Sequence, residues 1–504
     1  MSDGKDLAPV LMIQGTASSV GKSTLVAGLC RLFARRGLRV APFKAQNMSN
    51  NAAVCPAGGE IGRAQFAQAV AARVIPSVDM NPVLLKPQAG TVQVVVRGAM
   101  SGVQTAREYF DGTRADLWPV VAAALDHLRS SFDLVIAEGA GSPAEINLRA
   151  RDIVNMRVAL HAGAEVLLVG DIDRGGVFAA LLGTWDWLAH EERALVRGFV
   201  LNKFRGDAAL LAPAPALLEE RTGVPVRGVL PFIDDLRLPE EDAASLSQRE
   251  VADVSVDIAI IRLPHLANFD EFGPLAIEPG VQVRFVSQSA ELRAPDLVIL
   301  PGTKVTIPDL EWLVERGLAD RIRWLAQHGT PVLGICGGYQ MLGTVVHDAD
   351  GVESDHGTAG GLGLLSAETH LGAQKRLAHT RGRVLDHGFG CWRGLAGVAV
   401  EGYEIHVGRT HVQLSNRPFI EIDGRPEGSV AADLPVAGTH MHGLFERPEP
   451  RHALLRGLAQ SRGFEWAPGA APTSDPYDVL ADVIERSVRL DGLRISACGA
   501  ARCF

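Results

Sequence analysis

Short apolar runs alternate with amphipathic stretches through the first half of the chain. Each of five segments contains a continuous apolar run that ends in glycine or polar residues: PVLMIQG, LRVAPFKAQ, FDLVIAEGAG, AEVLLVGDID and VRGFVLNKF. Continuous runs are typical of strands that are buried on both faces of a parallel sheet. Between the first two runs, STLVAGLCRLFARRG has the length and pattern of a helix. The pattern predicts a doubly wound, mostly parallel α/β domain that binds ligands at the carboxyl ends of its strands.

The pattern changes near residues 231–255 and then resumes. PFIDDLRLPEEDAASLSQREVADVS is acidic and lacks apolar periodicity, which indicates a linker. A second α/β set follows in VDIAIIRLP, VQVRFVS, DLVILPGTK and PVLGICGGYQML. A final amphipathic helix is expected over DVLADVIERSVRLDGL, because Leu480, Val483, Ile484 and Val488 recur at helical spacing. We therefore divide the chain into domains at 1–245 and 252–504.

Composition and charge narrow the class of protein. The chain has 504 residues, of which 47% are hydrophobic, and a formal net charge of −9, so we expect no nucleic-acid partner. No apolar run approaches the about 20 residues of a membrane helix, and the N-terminus is unlike a signal peptide. The six cysteines show no metal-binding spacing. We expect a cytoplasmic enzyme without a membrane partner, and a homo-oligomer remains open.

A glycine-rich turn follows the first predicted strand. IQGTASSVGKST joins this strand to a helix, which is the context of a phosphate-binding loop. Five residues separate its two glycines where the usual pattern has four, which indicates a variant loop. Backbone N–H groups and a lysine would hold phosphates, and the serine hydroxyl would bind Mg²⁺. The phosphate-binding residues are expected to be Gly15, Thr16, Gly21, Lys22, Ser23 and Thr24.

Charged residues at the ends of other strands could complete this site. Glu138 ends a strand and is expected to bind Mg²⁺ together with Ser23. Asp171 and Asp173 end the next strand and are candidates for metal or substrate binding, or simply turn residues. Lys44 lies just past the second strand and could contact phosphate, although a surface lysine is the alternative. In the segment NKF an asparagine could read an adenine edge.

In the second half, Cys336 in LGICGGYQML directly follows an apolar strand. Small neighbours permit the strained strand-to-helix turn that exposes a nucleophile, and the helix N-terminus stabilises a thiolate. The N–H groups of Gly337 and Gly302 could bind a developing oxyanion. A buried structural cysteine is the alternative. The partner base must be a histidine, and the residues alone leave His406, His440 and His442 open.

Motifs along nearly the whole chain resemble those of the cobyric acid synthases, which are glutamine-dependent amidases of corrinoid biosynthesis. They occur in family order: GTASSVGKS, PFKAQNMSNN, EIGRAQ, MNPVLLKP, EGAGSPAEINL, DIDRGGVFA, NKFRGD, LPGTK, GICGGYQMLG, GYEIH and HGLF. PFKAQNMSNN and EGAGSPAEINL separate this family from dethiobiotin synthetase and cobyrinic acid a,c-diamide synthase.

The resemblance implies an N-terminal domain like dethiobiotin synthetase and a C-terminal domain like class I glutamine amidotransferases. It places the base at His442, with His440 a weaker contributor. Leu444 stands where related enzymes have a glutamate, so a Cys–His dyad is implied and the group that orients His442 is open; Glu446 has the wrong offset. The substrate-contacting candidates in the two family-specific motifs are Gln46, Asn47, Glu145 and Asn147.

The implied reaction uses ATP, Mg²⁺, L-glutamine and a corrinoid. Carboxylates b, d, e and g of adenosylcobyrinic acid a,c-diamide would be phosphorylated, and ammonia from glutamine would then displace the phosphate. One alternative is an amidotransferase that acts on the a and c carboxylates. The other, from a different class, is a P-loop ATPase that switches on a partner protein, which the fused Cys336 domain disfavours.

Overall fold

A computed structural model of the chain describes residues 7–88, 90–233, 251, 253–388, 390–413, 415–469 and 474–495. Most of the acidic linker lies outside these ranges, as do both domain limits expected near residues 245 and 252 and the two cysteines of the C-terminal tail. The division into 1–245 and 252–504 therefore stays a prediction.

The first half contains twelve strands within the described residues. They are β1 (Val10–Gly15), β2 (Val40–Phe43), β3 (Gln46–Met48), β4 (Ala52–Val54), β5 (Glu60–Gly62), β6 (Val83–Pro87), β7 (Thr91–Val96), β8 (Ala99–Thr105), β9 (Leu134–Glu138), β10 (Glu165–Asp171), β11 (Val196–Phe204) and β12 (Val226–Pro231). The helices are α1 (Lys22–Arg35), α2 (Arg63–Ala71), α3 (Ala106–Glu108), α4 (Arg114–Asp116), α5 (Trp118–Ser131), α6 (Met156–Ala162), α7 (Val177–Trp187), α8 (His190–Arg193) and α9 (Ala214–Thr222).

Six of these strands form one parallel sheet in the order β12-β11-β10-β1-β9-β2. The five apolar runs of the sequence supply β1, β2, β9, β10 and β11, so the predicted doubly wound domain is confirmed. Because β1 lies between β9 and β10, the glycine-rich loop after β1 meets the ends of both neighbours at one edge of the sheet. The topology alone therefore gathers the predicted phosphate site.

The second half continues with β13 (Val256–Ile261), β14 (Val281–Val286), β15 (Leu297–Leu300), β16 (Val332–Ile335), β17 (Val345–His347), β18 (Thr358–Gly360), β19 (Ala367–Val384), β20 (Ala399–Val412), β21 (Ile420–Ile422), β22 (Arg425–Glu427), β23 (Ser429–Val430), β24 (Val436–Thr439) and β25 (Met441–His442). Its helices are α10 (Gly273–Ala276), α11 (Ser289–Leu292), α12 (Thr306–Glu315), α13 (Leu318–Gln327), α14 (Gly337–Leu342), α15 (Pro448–Ser461) and α16 (Pro476–Ser487). None of the helices in the described ranges is long and apolar enough to cross a membrane.

Two sheets organise this second half. One has the order β14-β13-β15-β16-β24-β23 and is parallel except for the edge pair β23–β24. The other is built on the long antiparallel pair β19–β20, with β25 added at one edge. Because β24 runs directly into β25, the chain carries His442 from the first of these sheets to the second. The predicted α/β class is confirmed for this half as well.

The last helix packs on the first domain rather than the second. Leu480 and Ile484 are buried with apolar residues of α1 and the parallel sheet, and Arg31 pairs with Asp475 at 2.9 Å. The amphipathic pattern was informative about the buried face of this helix. It could not show which core that face joins, because both cores are apolar.

A hairpin of the first domain contacts the second domain directly. Ala52 and Val54 on β4 are buried together with Tyr403 and Ile405 on β20. His379 on β19 donates a hydrogen bond from Nε2 to the carbonyl of Val54, at 2.6 Å. The antiparallel sheet that holds His442 is therefore packed against the first half of the chain.

Candidate functional site

The glycine-rich loop closes around a lysine ammonium. Lys22, the first residue of α1, donates hydrogen bonds from Nζ to the carbonyl oxygens of Ala17 (2.8 Å) and Gly141 (3.1 Å). Gly21 has a φ of 95°, and a Cβ there would lie 2.1 Å from Nδ2 of Asn202, so only glycine fits. The variant loop thus keeps the arrangement that a phosphate site needs, with positive charge beside a helix N-terminus.

A buried carboxylate lies at the base of this loop. Glu138 is 1% exposed, and its Oε1 accepts a hydrogen bond from Ser23 Oγ and pairs with Lys44 Nζ, both at 2.8 Å. Its Oε2 accepts a hydrogen bond from Nε2 of Gln68 at 2.6 Å. The structure therefore brings together three of the residues expected from the sequence. Gln68 was missed; the signal for it was a pair of glutamines three residues apart on α2, Gln65 and Gln68, both of which are buried.

The donor set fits Mg²⁺, which prefers hydroxyl and carboxylate oxygens. Ser23 and Glu138 supply one of each at hydrogen-bond distance from one another. Asp171 is also buried near the loop: its Oδ2 pairs with Lys203 Nζ at 2.8 Å, and the same ammonium donates to the carbonyl of Ser19. Asp173 instead pairs with Arg205 at 3.4 Å and is half exposed. Of the two aspartates, Asp171 lies closer to the phosphate-binding loop.

A cavity of about 650 Å³ borders the loop on one side. Gly141 links the two, because its carbonyl accepts the Lys22 hydrogen bond and its backbone lines the cavity. Gln46 and Glu145 also line the cavity, as expected for substrate-contacting residues. Asn47 and Asn147 are not among its lining residues: Asn47 donates to Gln65 Oε1 at 2.9 Å, and Asn147 is in an exposed turn.

A second cavity, of about 150 Å³, lies next to the end of the loop and the start of α1. It is lined by Gly21, Thr24 and Asn202, together with Leu480 and Ile484 of the last helix. This is a mixed apolar and amide environment next to the phosphate-binding loop. In this cavity Asn202 could contact an adenine edge, as the sequence predicts.

Cys336 sits at the sharp turn between β16 and α14. Its backbone has φ 54° and ψ −111°, which is strained for any residue other than glycine. Strain of this kind is found where a side chain must be presented for chemistry. The thiol is 7% exposed and donates to the carbonyl of Ile405 at 3.6 Å. The predicted nucleophile turn is therefore present in the backbone geometry.

His442 faces this thiol and is held by a carboxylate that the sequence analysis did not identify. Its Nδ1 lies 2.8 Å from Oε1 of Glu271, whose Oε2 accepts a hydrogen bond from the backbone N–H of Gly443. Both side chains are 1% exposed, and the ring of Tyr403 stacks on the imidazole at 5.3 Å. The expected dyad is thus extended to Cys–His–Glu. Glu446, the carboxylate close in sequence, instead pairs with Arg63 at 2.6 Å.

The surroundings favour a protonated imidazole. Burial by itself lowers the pKa of His442, but the charges of Glu271 and Cys336 outweigh it and raise that pKa to about 10. A cationic imidazole beside a thiol stabilises the thiolate, which is the reactive form of cysteine. The site is therefore arranged for nucleophilic attack by sulfur.

The other two candidate histidines have different environments. His440 is held by Glu427, which accepts from its backbone N–H at 2.7 Å and lies 3.2 Å from its Nδ1. His406 stacks on the His440 ring at 4.1 Å and lines the same cavity as Cys336 and His442. Burial lowers the pKa of His406 to about 4, with a further decrease from His440, so its imidazole is neutral. Both rings lie near a carboxylate, Glu427 for His440 and Glu404 at 3.9 Å for His406, whereas His442 faces a carboxylate and the Cys336 thiol together.

The two predicted oxyanion glycines line this cavity as well. At Gly302 a Cβ would lie 2.9 Å from Cε1 of His442, so the absence of a side chain lets the imidazole approach the loop after β15. Gly337 is the first residue of α14 and follows the nucleophile directly. Both positions fit backbone N–H donors to an oxyanion.

The segment that carries Glu271 also touches the first domain. Asn268 accepts a hydrogen bond at Oδ1 from the backbone N–H of Ala52, and its Nδ2 lies 3.4 Å from Nε2 of His442. Asp270 accepts a hydrogen bond from Nε of Arg63 at 2.5 Å. Residues on either side of Glu271 are therefore anchored to the first domain.

Comparisons with known proteins agree with this two-site geometry. Residues 11–246 match the model of the CobQ/CobB/MinD/ParA nucleotide binding domain, and residues 257–450 match the CobB/CobQ-like glutamine amidotransferase domain. A cobyric acid synthase of Dehalococcoides mccartyi is 47% identical, with 96% of this chain and 97% of the relative covered. The chain belongs to the cobyric acid synthase family. Other relatives of that name are from Desulforudis audaxviator (50% identical, covering 96% and 99%) and Sorangium cellulosum (48%, covering 95% and 97%).

In this member of the cobyric acid synthase family, each of the two matched regions contains one of the two sites. The nucleotide-binding match contains Lys22 and Glu138, and the amidotransferase match contains Glu271, Cys336 and His442. The C-terminal helix α16 lies beyond both matched regions. The family resemblance noted in the sequence is therefore confirmed by whole-chain similarity.

Proposed function

We propose that this chain is a glutamine-hydrolysing ligase that amidates the b, d, e and g carboxylates of adenosylcobyrinic acid a,c-diamide at the expense of ATP. The observation that carries the proposal is the presence in one chain of a phosphate-binding loop, a cavity of about 650 Å³ and a Cys–His–Glu site. Membership in the cobyric acid synthase family supports the identity of the acceptor and of the nitrogen donor.

In the first domain, Lys22 and the loop N–H groups bind the triphosphate of ATP. The acceptor carboxylate attacks the γ-phosphorus, which yields an acyl phosphate and ADP. Ser23 and Glu138 would hold Mg²⁺, which supplies charge neutralisation on the phosphates when bound. Lys44 is held against Glu138 and places a second ammonium at this edge of the sheet. We assign the cavity beside Asn202 to the adenine base.

The corrinoid is assigned to the larger cavity, for which Arg114 gives the strongest support. This side chain is 6% exposed, lines the cavity and stacks on Phe110. Its Nε and Nη1 have no hydrogen-bond partner within the described part of the chain. A buried guanidinium with unused donors is suited to a carboxylate ligand. Arg157 lines the same cavity with its guanidinium over Trp118, whereas Arg149, which also lines it, is paired with Glu192.

In the second domain, the Cys336 thiolate attacks the side-chain amide carbon of glutamine, and the backbone N–H groups of Gly302 and Gly337 stabilise the oxyanion. His442 donates a proton to the leaving nitrogen, so that ammonia departs and a thioester remains. His442 then accepts a proton from water, which hydrolyses the thioester to glutamate. Glu271 keeps the imidazole oriented through Nδ1. Ammonia attacks the acyl phosphate in the first domain, and phosphate leaves as the amide forms.

The direct test is incubation with ATP, Mg²⁺, glutamine and the a,c-diamide, followed by mass spectrometry of the corrinoid. Four successive mass losses of about 1 Da, one for each carboxylate converted to an amide, are expected. Activity on cobyrinic acid that stops at the a,c-diamide would instead identify an a,c-diamide synthase. ATP hydrolysis without any change in corrinoid mass would contradict the proposal and favour a nucleotide switch.

A further inference from the structure

The cavity that holds Cys336 and His442 extends to the domain interface. Besides these two residues it is lined by Lys304 and His406 of the second domain and by Asn50 of the first. None of these last three is needed for the attack on the amide. Their chemistry therefore calls for a separate explanation.

Two of these side chains present buried polar atoms that make no hydrogen bond among the described residues. The His406 side chain is 8% exposed, and neither Nδ1 nor Nε2 makes a hydrogen bond within those ranges, although Nε2 lies 3.9 Å from Oε1 of Glu404. Oδ1 of Asn50 is likewise buried and has no hydrogen-bond donor there. Leaving buried polar atoms unpaired costs about 1–3 kcal/mol each, so atoms of this kind around a cavity indicate a polar ligand.

The charges around the cavity favour a ligand with a carboxylate. Lys86, Lys304 and Lys375 line it, whereas Glu353 is the one carboxylate among its described lining residues. Glu60, which is fully buried, bonds both Lys86 (3.0 Å) and Lys375, so its single negative charge balances one of these two lysines. Lys304 makes no ion pair within 4 Å among the described residues, and the charge of Glu353 acts on it from farther away. With three ammonium groups against two carboxylates, the surroundings keep a net positive charge that favours an anionic ligand.

We propose that Lys304, His406 and Asn50 form a subsite for the amino-acid head group of glutamine. Lys304 binds the α-carboxylate, a ring N–H of His406 donates to the same group, and Asn50 Oδ1 accepts from the α-ammonium. This inference rests on the proposed glutaminase activity of Cys336. It adds that the first domain completes the glutamine site, because Asn50 follows β3 of that domain. Glutamine would then be recognised only where the two domains are docked.

Two glutamine analogues allow each contact to be tested separately. 4-Aminobutanamide is glutamine without its α-carboxylate, and glutaramate (5-amino-5-oxopentanoate) is glutamine without its α-amino group. Each retains the amide that Cys336 attacks. Loss of a head-group contact should therefore affect glutamine but not the analogue that lacks the same group.

For Lys304→Met we expect kcat/KM for glutamine hydrolysis to fall about 30-fold through KM, because one charge-assisted hydrogen bond is lost. Hydrolysis of 4-aminobutanamide should change less than about threefold by the same reasoning. Asn50→Ala should lower kcat/KM for glutamine but not for glutaramate, which lacks the α-amino group that Asn50 binds. Lys375→Met is the comparator. It breaks the pair with Glu60 instead, so kcat/KM should fall by the same factor for glutamine and for both analogues.

An equal loss on glutamine and 4-aminobutanamide in Lys304→Met would overturn the assignment, as would an unchanged KM for glutamine. Amidation supported by ammonium chloride is measured on the same preparations. Its retention shows that the variant is folded and that the ligase function holds. If the unmodified protein shows no amidation with ammonium chloride, the proposed ligase function is wrong, whatever the outcome for the subsite.

A second, independent observation lies on the antiparallel sheet of the second domain. Ligand atoms of His347, Glu368 and His370 all lie within 4.8 Å of one another. The strand registers place His347 opposite His370 and Glu368 opposite His411. Opposed residues share a face, so three imidazoles and a carboxylate project from the same side of β17, β19 and β20. Ring centroids are 4.5 Å apart for His347 and His370, and 5.7 Å apart for His370 and His411.

We infer that this face binds a transition-metal ion, with Zn²⁺ as the natural occupant of an imidazole and carboxylate set. His347, Glu368 and His370 supply three ligands, and His411 lies on the same face but outside this group. Arg409 lies opposite His370 but is exposed, so that water screens its charge. A bound ion would tie β17, which follows the nucleophile helix α14, to β19.

The test uses full-length protein with Cys336→Ser, so that zinc on the catalytic thiol is not counted. After chelation and dialysis against micromolar Zn²⁺, we expect one ion per chain and a higher melting temperature. Glu368→Gln and His370→Ala in this background should lose both effects. His356→Ala, an exposed histidine paired with Glu311 elsewhere, should keep them. Absence of bound zinc, or equal zinc content in all these proteins, would refute the site.

Discussion

Each half of the molecule places one buried glutamate at its centre of chemistry, but the two carboxylates have different neighbours. Glu138 is surrounded by Ser23, Lys44 and Gln68, all from the first domain. Glu271 bonds His442 and the backbone of Gly443, and its own segment is anchored across the domain interface. We therefore expect the first site to be self-contained and the second to depend on docking of the domains.

The difference shows how the two activities can be linked. The carboxylate at the phosphate site is already balanced by a lysine, so its geometry does not require the second domain. The Cys–His–Glu site can sense the first domain, because Asn268 and Asp270 flank the carboxylate that orients His442 and both contact that domain. Variants that act on one site only, or on the connection, can therefore test this comparison.

The largest effect is expected from Cys336→Ala, which removes the nucleophile. Glutamine-dependent amidation should fall at least about a thousandfold, whereas amidation with ammonium chloride should persist. Both rates are measured by mass spectrometry of the corrinoid product. Cys391→Ala, another buried cysteine of the same domain, should keep both activities. Loss of both activities in Cys336→Ala would show that the sites are not separable.

The opposite pattern is expected for Glu138→Gln, which removes a charge at the phosphate site. Amidation with either nitrogen source should fall about a hundredfold or more, because the charge arrangement around the transferred phosphoryl group is lost. Basal glutaminase activity, followed as glutamate release, should stay within a factor of about two, since the variant leaves the second site intact. Glu165→Gln is the matched control. Glu165 is also buried, but it is the first residue of β10 and so lies at the edge of the sheet away from the phosphate-binding loop. Equal loss of glutaminase activity would contradict the self-contained first site.

A somewhat smaller effect is expected from Glu271→Gln. Glutamine hydrolysis should fall about 10- to 100-fold, because the imidazole loses the carboxylate that orients it. Amidation with ammonium chloride should be retained. Glu278→Gln serves as control: that carboxylate lies in the same domain and is buried, but it pairs with Arg451. If Glu271→Gln hydrolysed glutamine normally, a dyad without a third member would be the correct description.

The same variant gives a pH test. The folded-state pKa of His442, raised to about 10 by Glu271 and Cys336, lies above its ordinary value of about 6.5. A raised pKa contributes stability that is complete below the ordinary value and is lost as the pH rises through the folded-state value. The excess in unfolding free energy of the unmodified protein over Glu271→Gln should therefore shrink as the pH rises from about 6.5 to about 10. Denaturant titrations across this range measure it, and a growing excess would contradict the pairing.

The smallest effect is expected from Arg63→Met at the connection between the domains. Arg63 pairs with Asp270 and with Glu446, so its loss loosens the segment that carries Glu271. Glutamine-dependent amidation should fall about 5- to 10-fold, while ammonium-dependent amidation is preserved. Arg316→Met, which alters an arginine on the exposed face near Trp312, should change neither rate. Equal decreases with both nitrogen sources would indicate a folding defect instead of lost coupling.

Much of both sites could be read from the sequence, because parallel strands deliver their ends to one edge. Lys22, Glu138 and Cys336 each follow an apolar strand within a short motif, and the structure places them where such motifs predict. The role of His442 came from the family resemblance and not from spacing. The roles of these residues remain proposals that the variants above test.

The features that the sequence did not reveal are contacts between residues far apart in the chain. Glu271 lies 171 positions before His442, in a short 3₁₀ segment without periodicity, and no local pattern pairs the two. Gln68 looked like an ordinary helical residue until α2 packed against the phosphate site. The last helix was assigned to the second domain because it follows that domain in the chain, yet its apolar face packs on α1. Contacts over long sequence separations depend on the tertiary arrangement, which one sequence does not display.

The proposed function requires that nitrogen freed at Cys336 be delivered to the corrinoid within one enzyme. The most direct measurement is amidation with glutamine labelled with ¹⁵N at its amide, in the presence of unlabelled ammonium at a concentration too low to support amidation alone. We expect a product in which all the newly formed amides carry ¹⁵N. A product with unlabelled amides, or labelled ammonia released with no labelled corrinoid, would contradict it.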